Sequence, residues 1–108
     1  MSATDVIAIA TTFSTREAAE ACGRSLVERR LAACVQIEGP VTSVYRWREA
    51  VETAVEWRCT CKTVVSREAA CIAAIGGLHD YQTPQITVAI LAATPGYAAW
   101  VHQSVEAP

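Results

Sequence analysis

The chain lacks most of the features that mark a secreted, membrane-bound or nucleic-acid-binding protein. Only 19% of its 108 residues are charged and the formal net charge is −2, which gives no broad attraction for nucleic acid or anionic lipid. No run approaches the roughly 20 apolar residues of a membrane span, and the chain does not open with a basic and then apolar leader. We therefore expect a single cytoplasmic domain, residues 1–108, that binds neither nucleic acid nor membrane.

Motifs of the common catalytic machineries are also missing. The sequence has no nucleophile elbow, phosphate-binding glycine loop, dinucleotide fingerprint or HExxH helix, and no Ser/His/Asp set in a known order. We expect a protein that is not an enzyme.

The five cysteines form an odd set without CxxC spacing, which argues against a disulfide framework and favours reduced thiols. Cys59 and Cys61 point to the same side of a predicted strand, an arrangement that could hold soft Cu(I). Packing is the better interpretation, because free cysteine behaves as a small apolar side chain. The same holds for Cys22 and Cys71 on apolar helix stripes and for Cys34 in a strand.

The first half of the chain reads as strand, helix and two further strands. Residues 5–12 are apolar on both faces, as in a buried strand. Ser14 and Glu17 have capping-box spacing and predict a helix to about residue 30. Residues 31–37 and 41–47 are predicted strands, separated by a turn at Gly39-Pro40.

The second half repeats this order. Residues 54–65 alternate strictly, with Val55, Trp57, Cys59 and Cys61 on a dry face and Glu56 on a polar one. A helix over 66–78, a strand over 86–92 and a short helix from Thr94 follow.

Two successive β-α-β units predict an α+β, ferredoxin-like (split βαβ) sandwich: an antiparallel sheet with two helices on one face, plus a short C-terminal helix. The first and last strands are apolar on both sides, which suits central strands. Two helices cannot cover both faces of the sheet, so we expect a second copy to cover the other and predict a homo-oligomer.

Several side chains are candidates for recognition. Tyr45 and Trp47 project together from one strand and could stack a planar ligand or, as we prefer, close an interface. Lys62 fits equally well as a solvated lysine or as a cation in a cleft. His79 could bind a metal or carry a proton, although a lone histidine at a helix end more often hydrogen-bonds the last carbonyls.

Taken in order, several segments resemble the CutA family of divalent-cation tolerance proteins. These segments are Leu31-Ala32-Ala33-Cys34-Val35, Ser43-Val44-Tyr45-Arg46-Trp47, Lys62-Thr63, His79-Asp80-Tyr81-Gln82-Thr83-Pro84, and Tyr97 with Trp100. The resemblance implies a ferredoxin-like subunit in a tight homotrimer whose sheets join edge to edge. It also implies intersubunit clefts lined by Tyr45, Trp47, Lys62, His79 and Tyr81.

The resemblance further implies copper or another divalent cation as a ligand, with His79 and Asp80 as the donors nearby. The chain departs from the family at the donor positions, with Ala10 where some relatives have cysteine and Gln85 where glutamate is usual. Thiolate suits Cu(I) and carboxylate suits harder cations, so these departures weaken a direct copper site.

Two functions remain open on the sequence. The first is a non-enzymatic homotrimer of metal-ion tolerance that binds a cation weakly or indirectly. The second is a regulatory module of the trimeric PII type, which binds a small anion in intersubunit clefts through Lys62 and arginines.

Overall fold

The computed structural model describes residues 5–106, which form one sheet with helices on both of its faces. In chain order the elements are β1 (Asp5–Phe13), α1 (Arg16–Glu28), β2 (Cys34–Trp47), β3 (Ala50–Thr63), a 3-10 turn (Val65–Arg67), α2 (Glu68–Leu78), β4 (Thr87–Ala92) and α3 (Pro95–Ser104).

The four strands are antiparallel, in the order β2-β3-β1-β4. The two β-α-β units interleave, so that β1 lies between β3 and β4. This is the order of a split βαβ sandwich, and the predicted fold class is confirmed.

The main core lies between the sheet and the two long helices. Alternate residues of β1 and β3 face α1 and α2 because successive strand side chains point to opposite sides. The largest fully buried members are Phe13, Ile7, Ile9, Leu26 and Ile75. Both helices therefore cover one face, as the handedness of βαβ crossovers requires.

The terminal helix α3 covers part of the opposite face. Val6 and Val64 pack there against Ala98, Val101 and Val105. The strand β4, predicted to be central, instead lies at an edge of the sheet, and all six of its residues are exposed. Its apolar character therefore does not come from burial within one chain.

The predicted turn at Gly39-Pro40 does not end a strand. Residues 34–47 form one continuous strand, with a cis Gly39-Pro40 peptide bond and a register shift between Glu38 and Val41. A β-bulge accommodates the Gly-Pro pair, because backbone groups at a bulge are locally unpaired and proline has no N–H to pair. The bulge also bends the strand. Residues 31–33, predicted as the start of a strand, instead form a loop before β2.

The helix starts also differ from the sequence prediction. Thr15 caps α1 by accepting a hydrogen bond from the amide of Ala18 at 3.1 Å, so Ser14 is not the cap and the predicted capping box is wrong. Ser66 lies within the 3-10 turn, and α2 begins at Glu68.

Residues 41–47 of β2 and 50–56 of β3 extend beyond the rest of the sheet as a two-stranded arm. β1 pairs with β3 only from Trp57 onward, so within the described residues the arm has no third strand. The chain measures 44 × 24 × 22 Å, and its radius of gyration is 14.5 Å, against roughly 13 Å for a compact domain of this length. Val55, predicted to face inward, is 52% exposed on this arm.

Replacing Gly39 by alanine is expected to destabilise the fold by about 1–3 kcal/mol, the usual cost of overpacking. A Cβ at this position would lie 2.5 Å from Cδ1 and 2.8 Å from Cγ of Trp57. Trp57 packs against the main core, so its ring cannot retreat without disturbing that core. Urea unfolding of both proteins at one protein concentration measures the difference.

Gly76 provides the matched control for Gly39. It lies exposed in α2 and a Cβ there meets no atom within 4 Å. Gly76→Ala should therefore raise the free energy of unfolding, by up to about 1 kcal/mol, through helix propensity alone. Equal effects of the two substitutions would contradict the steric argument.

Candidate functional site

An open cavity of about 590 Å³ lies at the base of the arm. It is bounded by the end of β1, the arm and the loop after α2. Its lining residues are Thr12, Tyr45, Arg46, Trp47, Glu56, Tyr81 and residues 82–85. Small-molecule sites typically occupy ~300–1,000 Å³ and combine apolar walls with a few convergent polar groups.

Glu56 supplies the carboxylate of this cavity and is only 8% exposed. Tyr81 donates its hydroxyl hydrogen to Oε2 of Glu56 at 2.9 Å. Burial raises the pKa of Glu56, but hydrogen bonds from Ser43, Tyr81 and Thr12 outweigh it, so the net pKa lies below the ordinary 4.5. The side chain is therefore an anion at neutral pH.

Tyr81 forms the link between the loop after α2 and the arm. Burial and the hydrogen bond to Glu56 raise the pKa of Tyr81 to about 12. Its hydroxyl therefore stays protonated and remains a donor to the carboxylate. His79 in turn holds the loop that carries the Tyr81 ring.

The side chain of His79 is fully buried and holds the loop against β1. Its Nε2 lies 2.8 Å from the carbonyl oxygen of Thr12, which can only accept, so Nε2 carries the proton. Nδ1 accepts from the amide of Tyr81 at 3.2 Å. The ring also stacks on Phe13, with centroids 4.2 Å apart and an interplanar angle of 11°. Rather than hydrogen-bonding the last carbonyls of α2, His79 reaches across to β1.

These contacts do not favour metal ligation by His79, because both ring nitrogens already have partners. Asp80 lies 3.8 Å from Nδ1, and its side chain is 74% exposed. Within residues 5–106 no group of three or more His, Cys, Asp or Glu side chains could hold a metal ion. A metal site at His79 and Asp80 stays a prediction.

The other residues predicted to line a cleft do not all lie at the cavity. Tyr45, Trp47 and Tyr81 come together as cavity walls. Lys62 lies outside this lining, in the middle of the sheet, where its Nζ donates to Oε1 of Gln36 at 2.9 Å. Its position agrees with a lysine on the open face of the sheet.

The cysteines pack as predicted in four of five cases. Cys22, Cys59, Cys61 and Cys71 are at most 2% exposed and belong to the main core. Hydrogen bonds to neighbouring thiols, together with burial, raise the pKa of Cys22 and Cys61. Such thiols are poor nucleophiles and poor ligands. Cys34, at the start of β2, is partly exposed.

The sequence prediction missed Glu56 and Thr12. Strand alternation assigned Glu56 to a solvated face together with Arg58 and Lys62. Its carboxylate instead hydrogen-bonds with Thr12 at the end of β1 and with Tyr81, long-range contacts that strand periodicity cannot reveal. No local sequence signal identifies either residue.

The carboxylate of Glu56 should make stability depend on pH in the acid range. Its pKa is lowered in the folded state, so its contribution is present above the unfolded value of about 4.5 and is lost as the pH falls through the folded pKa. The difference in unfolding free energy between the wild type and Glu56→Gln should therefore be largest near pH 7 and shrink below pH ~4.5.

Urea titrations at neutral pH and at successively lower pH measure this trend. Glu38→Gln is the control, because Glu38 sits on β2 with 65% of its side chain exposed. A difference for Glu56→Gln that stays constant over the acid range would contradict the assignment.

This arrangement of sheet and helices defines an α+β protein of the split βαβ class. The sequence model of the family described as "CutA1 divalent ion tolerance protein" matches residues 7–104. The chain belongs to this CutA1 family.

Individual relatives agree with the family match. The chain is 38% identical over 100 residues to the "Probable divalent-cation tolerance protein cutA homolog" of Encephalitozoon cuniculi, covering 92% of this chain and 87% of that protein. It is 32% identical over 96 residues to "Protein CutA" of Mus musculus, which is 88% of this chain and 54% of the mouse protein.

Solved structures show the same fold. The divalent ion tolerance protein CutA1 of Ehrlichia chaffeensis superposes with a TM-score of 0.91 at 27% identity, over 98% of this chain and all of that one. The fold and family that the sequence segments predicted are thus confirmed.

Within the part of the chain that the structure describes, no helix is long and apolar enough to cross a membrane.

Proposed function

We propose that this divalent-cation tolerance protein acts as a non-enzymatic homotrimer, and that the cavity at the base of the arm is its recognition site. Family membership supports the role in cation tolerance. The observation that carries the rest is the arm itself, because an isolated chain would leave its apolar residues in water.

Apolar exposure on the arm supports assembly. Val44 is 67% exposed and Val51 is 66% exposed. Their register partners, Thr53 and Arg46, show that both valines lie on the same side of the arm. A patch of this kind on a two-stranded ribbon favours contact with another chain, since isolated ribbons are only marginally stable.

The outer strand β4 supports assembly in a second way. Ile90 is 62% exposed and Val88 is 41% exposed on an edge with unpaired backbone groups. Long apolar edges promote uncontrolled pairing unless another strand or element covers them. Three copies joined edge to edge would cover them in a closed, symmetric particle.

A cytoplasmic location and a small cationic ligand complete the proposal. The free cysteines suit a reducing compartment. The alternative of a small anion is less well supported, because Lys62 lies outside the cavity and the anionic Glu56 lies inside it.

Light scattering coupled to gel filtration tests the assembly. The expected particle mass is three times the 11.6 kDa of one chain. Val44→Glu should reduce it to that of a single chain, because a carboxylate in an apolar contact is costly to bury. Val27→Glu, at a half-exposed valine of α1, should leave the particle intact. A wild-type mass of one chain at micromolar concentration would overturn the proposal.

Growth of cells that lack their own family member, under Cu(II) or Zn(II) challenge, tests the cellular role. The wild-type gene should restore growth, and the assembly-deficient Val44→Glu variant should not. Calorimetry of the purified protein with the same ions tests direct metal binding. Restored growth by Val44→Glu would show that assembly is not needed for tolerance.

A further inference from the structure

Within residues 5–106 no ion pair joins the carboxylate of Glu56 to a basic side chain, although the nearby His79 contributes to lowering its pKa. Among residues 5–106 ion pairs join Arg16 to Glu20 and Arg58 to Glu38, while the Asp80 carboxylate lies 3.8 Å from Nδ1 of His79, which accepts from a backbone amide and carries no proton. Arg46 also lines the cavity, yet no ion pair connects it to Glu56. A buried carboxylate satisfied only by hydroxyl groups retains a full negative charge that a cationic ligand would neutralise.

Aromatic rings surround the approach to this carboxylate. Tyr45, Trp47 and Tyr81 all line the cavity. Ring faces attract cations, and the Trp47 ring already does so within the chain, since the guanidinium carbon of Arg48 lies 5.4 Å from its centroid. Such walls accommodate the apolar body of a ligand while its charged end reaches Glu56.

The donor set distinguishes an organic cation from a metal ion. Ca²⁺ takes six to eight oxygen ligands and Mg²⁺ about six. The cavity offers one carboxylate, flanked by hydroxyls that hydrogen-bond with it, and otherwise neutral donors such as the amides of Gln82 and Gln85. An ammonium or guanidinium group needs few acceptors and gains from nearby ring faces. We infer that the cavity binds a small organic cation, an ammonium or guanidinium with a short apolar body, whose charge pairs with Glu56 and whose body contacts Tyr45 and Trp47. This inference rests on the proposed role of the cavity as the recognition site.

Three probes of similar size and different charge test the inference on the assembled protein. Butylammonium, 1-butanol and butyrate each have a short unbranched alkyl chain and carry a positive, zero and negative charge. Calorimetry or titration followed by amide NMR shifts should show the tightest binding for butylammonium. The expected advantage over butanol is about 10- to 100-fold, the range for a hydrogen bond to a charged group.

Glu56→Gln should remove this advantage. The variant should bind butylammonium about 10- to 100-fold more weakly and leave butanol binding nearly unchanged. Glu38→Gln makes the same charge change on the exposed side of β2 and should leave all three probes unaffected. Circular dichroism and particle mass identify any variant that fails to fold or assemble. Tyr45→Ala, which keeps the carboxylate, then serves as the second variant and should weaken butylammonium and butanol together.

Several outcomes would overturn the inference while leaving the proposed function standing. The trimer could form and support growth, yet bind butyrate as tightly as butylammonium. It could bind Zn(II) in a Glu56-dependent manner and no ammonium. A crystal structure could also show a lysine or arginine of a second copy seated on Glu56. A single-chain particle would instead overturn the proposed function itself.

Discussion

Phe13→Ala is expected to lower the free energy of unfolding by about 3–5 kcal/mol, the usual cost of deleting a buried phenyl ring. Phe13 is 1% exposed and sits at the end of β1, where the main core meets the loop after α2. Its ring packs on one side against that core and on the other against the ring of His79. The substitution therefore removes core volume and the stacking partner of His79 at once.

Urea unfolding at a fixed protein concentration measures this loss, because assembly makes apparent stability depend on concentration. Val27→Ala is the comparison, since Val27 is 41% exposed and surface truncations usually change stability by less than about 0.5 kcal/mol. Amide NMR shifts of residues 79–82 should also move in Phe13→Ala. A loss below about 1 kcal/mol would contradict the packing described for this ring.

His79→Ala is expected to cost at least about 2 kcal/mol in the absence of any metal, because two partly buried backbone groups each lose a hydrogen-bond partner worth about 1–3 kcal/mol. The carbonyl of Thr12 loses its donor, and the amide of Tyr81 loses its acceptor. With the loop released, the hydroxyl of Tyr81 should also leave Glu56. A tyrosine pKa nearer its ordinary 10 than the raised value should report that release.

Asp80→Ala is the matched control for His79→Ala, since it removes an exposed carboxylate one residue along the same loop. It should change stability by less than about 0.5 kcal/mol. Thermal unfolding with and without Cu(II) or Zn(II) separates the two roles of the histidine. A destabilisation that appears only when the metal is present would contradict a loop-holding role and support ligation.

The fold was readable from the sequence because several signals agree. Ala19, Cys22 and Leu26 follow helical spacing, and all three are buried. The alternation of Cys59, Cys61 and Thr63 gives the correct inner face of β3. Patterns of this kind depend on near neighbours, so local spacing is sufficient to predict them.

The prediction failed where distant contacts decide the outcome. Val55 and Glu56 continue the alternation of Cys59, yet Val55 is exposed on the arm and Glu56 is buried at the cavity. Edge placement of β4 likewise depends on strand order rather than on its own apolar residues. Sequence segments identified Tyr45, Trp47 and Tyr81, but the connection from Phe13 through His79 and Tyr81 to Glu56 joins three separate parts of the chain.

The burial of the thiols in the main core controls their reaction with alkylating reagents. Cys22, Cys59, Cys61 and Cys71 leave almost no surface for an alkylating reagent, so such a reagent reaches them only during transient opening of the helix–sheet layer. The chain thus carries four intrinsic reporters of its own breathing motions, and their alkylation rates follow the frequency of that opening without any introduced label.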